Sequence, residues 1–261
     1  MYRNCNRTIW LKKRQHISNN GKSRNRVVSP FSLLGITIHE TLESELGKYI
    51  GKRIFSDFRI ENASLFTLFD RKLSEILPFV DWTGMDDKGR MIEWVKKMSK
   101  KNLRNAKTLL NTHARGYKVL EVEQKWKYEL DGDLKIIVLA DLVLQSPEDE
   151  IFVVDWKTQK DLQSDINNPQ LGVYKLLAEK KYGKKEINTV IAYTERVNWS
   201  TPWYSPKFTS ELEYNIIEEI ERWKSDRIED FPANPHPVNC SSCRYITRCD
   251  VAVVSEEIYF M

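Results

Sequence analysis

The chain has 261 residues, enough for one large domain or two small ones with a substantial core. Its 41 basic and 37 acidic side chains leave a net charge of +4, too small to demand a nucleic-acid partner yet compatible with one. No run reaches transmembrane length, and Met1-Tyr2-Arg3-Asn4-Cys5 lacks the apolar stretch of a secretory signal. The expectation is a cytoplasmic protein with no membrane partner, whose cysteines serve metal rather than disulfides.

Residues 1–28 are basic and polar. Ser29-Pro30 reads as an N-cap followed by proline at the first helical position, and Phe31, Leu34, Ile38, Leu42 and Leu46 then fall on one helical stripe. Residues 64–113 read as two or three helices, including Met91–Leu110. From Tyr117 the period changes to two: Tyr117–Leu130, an Asp131-Gly132 turn, then Leu134–Gln145 and Glu150–Gln159 joined by Ser146-Pro147-Glu148-Asp149. Asn168-Pro169 opens a helix ending near Gly183, Glu186–Arg196 is a further strand, and Thr209–Asp230 a long amphipathic helix. A proline- and cysteine-rich tail follows. The pattern predicts an α/β chain: a central mixed sheet flanked by helices, in one domain spanning residues 1–261.

The chemistry concentrates on the hairpin. The midpoint of positions 141 and 155 is 148, inside the turn, so unslipped pairing sets Asp141 opposite Asp155. Like charges opposed on a sheet repel, which a bland sheet would avoid. Asp155 and Lys157 share a face through the two-residue period. Two carboxylates beside an ammonium fit a divalent-metal site with a cationic helper. The strand Ile136–Leu144 is apolar on both faces, which predicts a central position under helices, with Asp141 its single charge. A lone buried aspartate is usually neutralised by an arginine or a backbone cap; Asp155 and Lys157 beside it favour function. For Asp155-Trp156-Lys157 the ordinary alternative is a surface ion pair at a strand end, weakened by the preceding Ile151-Phe152-Val153-Val154.

His39 lies one turn after Gly35, where the missing Cβ permits a close approach. It is a half-buried histidine or the nitrogen ligand of an oxygen-rich site that takes manganese as well as magnesium. Gln170 and Tyr174 form an i, i+4 pair at a helix start aimed at a phosphate, or a half-buried surface pair. Lys96, Lys97, Lys100, Lys101, Arg104 and Lys107 read as a solvated face, with phosphate tracking the alternative. Trp199, Trp203 and Tyr204 sit in a proline-containing loop and either stack bases or cap the core. Cys240, Cys243 and Cys249 have C-x2-C-x5-C spacing, with Cys5 distant; four thiolates suit structural zinc or an iron–sulfur cluster, and zinc's habit of paired spacings fits a one-plus-three division poorly. Bridging Cys5 to the tail would clasp the termini.

Together, Gly35-Ile36-Thr37-Ile38-His39, Asp141, Asp155-Trp156-Lys157 and Gln170-Leu171-Gly172-Val173-Tyr174 resemble, in order, the RecB-type branch of the PD-(D/E)XK nucleases. Cys5-Asn6-Arg7-Thr8-Ile9-Trp10-Leu11 with the three tail cysteines resembles its iron–sulfur subgroup, most closely the CRISPR-associated exonucleases. Asn6 and Val138 depart from that pattern, standing where the family has proline and glycine.

The resemblance implies a restriction-endonuclease-like core over 29–49 and 117–205, a helical insertion over 50–113, and iron–sulfur-binding ends over 1–28 and 232–261. His39, Asp141, Asp155 and the Trp156 carbonyl would hold Mg2+ or Mn2+. Lys157 would assist the attacking water, while Gln170 and Tyr174 would support the site and the scissile strand. Cys5, Cys240, Cys243 and Cys249 would bind a 4Fe–4S cluster. The implied activity is a metal-dependent DNA exonuclease acting on single strands or duplex ends, with a CRISPR adaptation integrase or a helicase as partner. Two alternatives compete: a DNA-end-binding module that serves such a partner without cutting, and a zinc-stapled structural protein with a calcium-like acidic pair.

Overall fold

The computed structural model describes residues 28–129, 135–158, 168–183, 186–224, 227–231, 233 and 249. The chain divides into two compact units, residues 26–212 and residues 1–25 with 213–261. The sheet and the candidate site lie within residues 26–212. Cys5, Cys240 and Cys243, and the Asp131-Gly132 turn, lie outside the described residues, whereas Cys249 is half-buried and free.

Helix α1 (Leu33–Leu46) follows a short 3-10 turn at Pro30–Ser32, in which proline occupies the first position. The Ser29 side chain makes no capping bond. Leu33, Ile38, Leu42 and Leu46 are buried, but Phe31, expected on the same stripe, is 81% exposed. Helices α2 (Asn62–Ile76) and α3 (Lys88–His113) pack on α1, with Asp87 capping α3 by accepting from the Arg90 amide.

Five strands form one sheet in the order β1 (Lys118–Glu129), β2 (Lys135–Gln145), β3 (Ile151–Lys157), β4 (Ile187–Tyr193), β5 (Asn198–Ser200). The first three are antiparallel; β4 runs parallel to β3 after a crossover through α4 (Pro169–Tyr182), and β5 closes antiparallel. A further helix, α5, spans Pro206–Lys224.

The alternation of β3 explains its central place. Val154 and Trp156 face one core, shared with α1, α2 and α3, while Ile151 and Val153 face another, shared with Leu171, Tyr174, Leu177 and Ala178 of α4. Gly172 brings α4 close to α5: a Cβ there would stand 3.0 Å from both Leu212 Cδ2 and Phe208 Cε1. The apolar strand β2 is second in the sheet rather than fully covered, and Ile137 and Leu139 near its start are about half exposed. Trp199, read as loop, belongs to β5 and stacks on His113 with centroids 5.5 Å apart.

Candidate active site

The turn fixes the register. Ser146 N–H donates to the Glu150 carbonyl at 2.9 Å, while its Oγ accepts from the amides of Glu148 and Glu150. From there the ladder runs Gln145↔Ile151, Leu144↔Phe152, Val143↔Val153 and Leu142↔Val154. The next row is Asp141 and Asp155, the opposition expected from the midpoint. Backbone pairing ends one row before it, at Leu142↔Val154, and Asp141 Oδ2 accepts from the Trp156 N–H at 2.8 Å instead.

A third acid joins that row. On the other side of β2 the pairs Val122↔Leu142 and Gln124↔Ala140 bracket Glu123 and Asp141. Glu123, Asp141 and Asp155 thus span three adjacent strands at one level. Sequence reasoning missed Glu123, which lies in the alternating run Glu121–Lys125 and reads as a solvent face. Its own midpoint with Asp141 is 132, inside the Asp131-Gly132 turn, so the signal was available. Glu123 also has φ 47°, a left-handed conformation that non-glycine residues seldom adopt outside constrained sites.

His39 comes from α1 and closes the group. Its Nε2 lies 3.0 Å from the Trp156 carbonyl oxygen, which can only accept, so Nε2 carries hydrogen. Nδ1 faces Asp141 Oδ2 at 3.4 Å and Glu123 Oε1 at 3.9 Å. Burial pushes the imidazole pKa down, but hydrogen bonds that the protonated ring donates to Asp141 and Glu123, with the charges of Asp141 and Asp155, reverse this and raise it to about 10. The acidic row therefore draws a positive charge to this spot.

Asp155 is 2% exposed and Asp141 8%. Burial pushes the Asp155 carboxyl pKa up, the Lys157 charge opposes that, and the Asp141 charge adds to it. Lys157 Nζ stands 2.6 Å from Asp155 Oδ2, yet that oxygen accepts no well-aligned hydrogen bond. An ion pair with a spare lone pair describes it best. Gln170 Nε2 donates to Asp155 Oδ1 at 2.9 Å and to Tyr174 Oη at 2.9 Å, and Tyr174 Oη donates to the Leu139 carbonyl at 2.8 Å. Burial, then the Asp155 charge, pushes the tyrosine pKa up, so it stays a donor. Gln170 and Tyr174 thus tie Asp155 to β2. The free end of α4 is already capped by Asn168 Oδ1, which accepts from the amides of Gln170 and Leu171.

The donor set fits a hard divalent cation. Ligand atoms of His39, Glu123 and Asp141 all lie within 4.8 Å of one another. A cation held at about 2.1 Å places neighbouring donors about 3 Å apart and opposed donors about 4 Å apart. Oxygen with one imidazole suits magnesium or manganese rather than a thiolate-seeking metal.

Above the acids opens a cavity of about 990 Å³, lined by Phe31, Trp94, Met98, Leu139, Thr158 and Glu195 together with His39, Glu123 and Asp141. Gly35 lines it too, but a Cβ there would meet Thr158 Oγ1 at an ordinary 3.6 Å, so glycine is not sterically required. Four of the six residues on the basic face of α3 are ion-paired, Lys96 with Glu93, Lys100 with Asp70, Lys101 with Glu195 and Lys107 with Glu61, and Arg104 lies over the Phe66 ring. Tyr204 packs on Phe208 and hydrogen-bonds Thr189 at 2.6 Å, and Trp203 is exposed. The aromatic side chains at the cavity are instead Phe31 and Trp94.

A structure from Eubacterium rectale named as a candidate exonuclease is 13% identical over 94% of this chain and 82% of its own, with TM-score 0.46. A protein named SSO0001 is 13% identical over 94% of this chain and 96% of its own, with TM-score 0.36. No curated protein matches the sequence. Among the described residues no helix is long and apolar enough to cross a membrane. The model of the PD-(D/E)XK nuclease superfamily matches residues 1–250, and the chain belongs to that superfamily.

Proposed function

We propose that this protein is a divalent-metal-dependent deoxyribonuclease that hydrolyses DNA phosphodiester bonds, working as an exonuclease on single strands or duplex ends. The observation that carries the reading is the row Glu123–Asp141–Asp155 with His39 above it and Lys157 beside it. His39, Asp141, Asp155 and the Trp156 carbonyl, joined by Glu123, would hold Mg2+ or Mn2+. When bound, the cation supplies an acidified water and polarises a phosphate oxygen.

The chain's own residues do the rest. Lys157 places an ammonium where charge grows on the phosphate. Asp155, fixed by Gln170 and through it by Tyr174, presents its spare Oδ2 lone pair to the site. Phe31 and Trp94 offer apolar faces to nucleobases at the mouth of the cavity. The sequence resemblance supports two finer parts: a 4Fe–4S cluster on Cys5, Cys240, Cys243 and Cys249, and action beside a CRISPR adaptation integrase or a helicase.

The test is digestion of end-labelled single- and double-stranded DNA with Mg2+ or Mn2+, beside purified Asp155→Ala and an absorption spectrum of the anaerobic protein. Shortened products that need metal and vanish in Asp155→Ala are expected, with brown colour from the cluster. An undiminished Asp155→Ala refutes the site assignment. A colourless, folded protein containing zinc refutes the cluster.

A further inference from the structure

The reactive end of β3 is poorly supported by the sheet itself. Its ladder with β2 stops at Leu142↔Val154, so Asp155, Trp156 and Lys157 have backbone pairing with β4 alone, ending at Lys157↔Tyr193. Strand ends of this kind open locally at little cost unless something else holds them.

Buried polar side chains converge there. Thr194, the residue after the last pair, is fully buried, and its N–H donates to the Lys157 carbonyl at 2.9 Å. Thr194 Oγ1 lies 3.2 Å from the same carbonyl and donates to Asn102 Oδ1 at 2.5 Å. The Thr194 carbonyl in turn accepts from Asn105 Nδ2 at 2.7 Å. Asn102, also fully buried, donates from Nδ2 to the Met98 carbonyl at 2.9 Å. The next corner residue, Glu195, is paired with Lys101 at 2.7 Å. Three residues on one face of α3 thus grip both sides of a single corner.

An asparagine in the middle of a helix is a weak helix former, and burying its amide costs free energy unless every polar atom is satisfied. Leucine would pack this position at no such cost. The polar pair makes sense if the corner must be held at one height.

We propose that Asn102 and Thr194 are positioning residues for Lys157: they lock the corner after β4 that holds the Lys157 carbonyl by hydrogen bond, and so fix where its ammonium stands relative to Asp155. This rests on the nuclease reading and deepens it. Neither residue touches the acidic row. Their effect passes through the Lys157 backbone, and displacing a reacting group by about 1 Å can cost on the order of 10²-fold in rate.

The experiment compares wild type, Thr194→Val, Thr194→Ser, Asn102→Leu and Lys157→Ala under single-turnover cleavage of labelled DNA at a temperature where all are folded, with Mn2+ affinity measured by calorimetry. Thr194→Val and Asn102→Leu are expected to lose about tenfold to a hundredfold in the cleavage rate. DNA and Mn2+ affinities should stay at wild-type values, and Thr194→Ser should restore the rate. Cleavage by Thr194→Val at the wild-type rate overturns the proposal. A rate loss matched by an equal loss of Mn2+ affinity does so too, because the whole site would then have collapsed, as does failure of serine to rescue. Full activity in Lys157→Ala would instead remove the role assigned to that lysine in the nuclease reading, leaving the corner nothing to position.

Discussion

Asp141 accepts the backbone N–H of Trp156 at 2.8 Å, so a carboxylate takes over at the point where the β2–β3 ladder ends. The same oxygen that serves the fold also faces the site, with His39 Nδ1 at 3.4 Å. The two duties separate by substitution. Asp141→Asn retains an acceptor for Trp156 and should fold like wild type while losing cleavage. Asp141→Ala orphans a buried N–H and should cost a further ~1–3 kcal/mol, seen as a lower midpoint in urea than for Asp141→Asn.

Asp155 carries a charge that burial disfavours and Lys157 restores. In Asp155→Asn the desolvation cost and the ion pair disappear together, and the metal-free protein should remain folded. Cleavage with Mg2+ should fall by about 10³-fold or more, because several kcal/mol of transition-state stabilisation depend on the cation. Chemical denaturation in EDTA and a cleavage assay read the two halves.

Glu123 is the acid that sequence reasoning passed over, and its share is measurable. Glu123→Gln should weaken Mn2+ binding about tenfold to a hundredfold, as removal of a supporting carboxylate does elsewhere. Because Glu123 also raises the His39 pKa, that value should drop in the variant. Calorimetry gives the first quantity, and NMR titration of the imidazole in metal-free protein the second.

His39 makes the metal-free protein sensitive to alkali. Its folded pKa stands at about 10 against an ordinary 6.5, so protonation stabilises the native state. That contribution is complete below pH 6.5 and is lost as pH rises through about 10. Thermal midpoints in EDTA should therefore fall across this window. Saturating Mn2+ should flatten the fall and release protons on binding, read by calorimetry in buffers of different ionisation enthalpy. An equal alkaline slope with and without metal would contradict the assignment of His39 to the metal site.

The hairpin is legible because its turn and its apolar alternation agree: symmetry about position 148 sets Asp141 opposite Asp155. The same symmetry about position 132 finds Glu123, but the alternating charges of Glu121–Lys125 look like an ordinary wet face and the backbone twist at Glu123 leaves no mark in the sequence. Phe31 fits a helical stripe by spacing and still stands 81% exposed, because it belongs to the 3-10 turn before α1. The grip of Asn102 on Thr194 joins residues far apart in the chain, and neither local propensity nor periodicity carries such a pairing. Three of the four cysteines lie outside the described residues.

The loop Ser146–Glu150 lies at the far end of the hairpin from Asp141 and Asp155, yet it acts as their ruler. Because strand pairing advances in whole residues, deleting one residue from that loop would slide β3 past β2 and turn Asp155 to the opposite surface of the sheet. A lesion remote from any ligand would then disarm the molecule while leaving its hydrophobic interior largely satisfied.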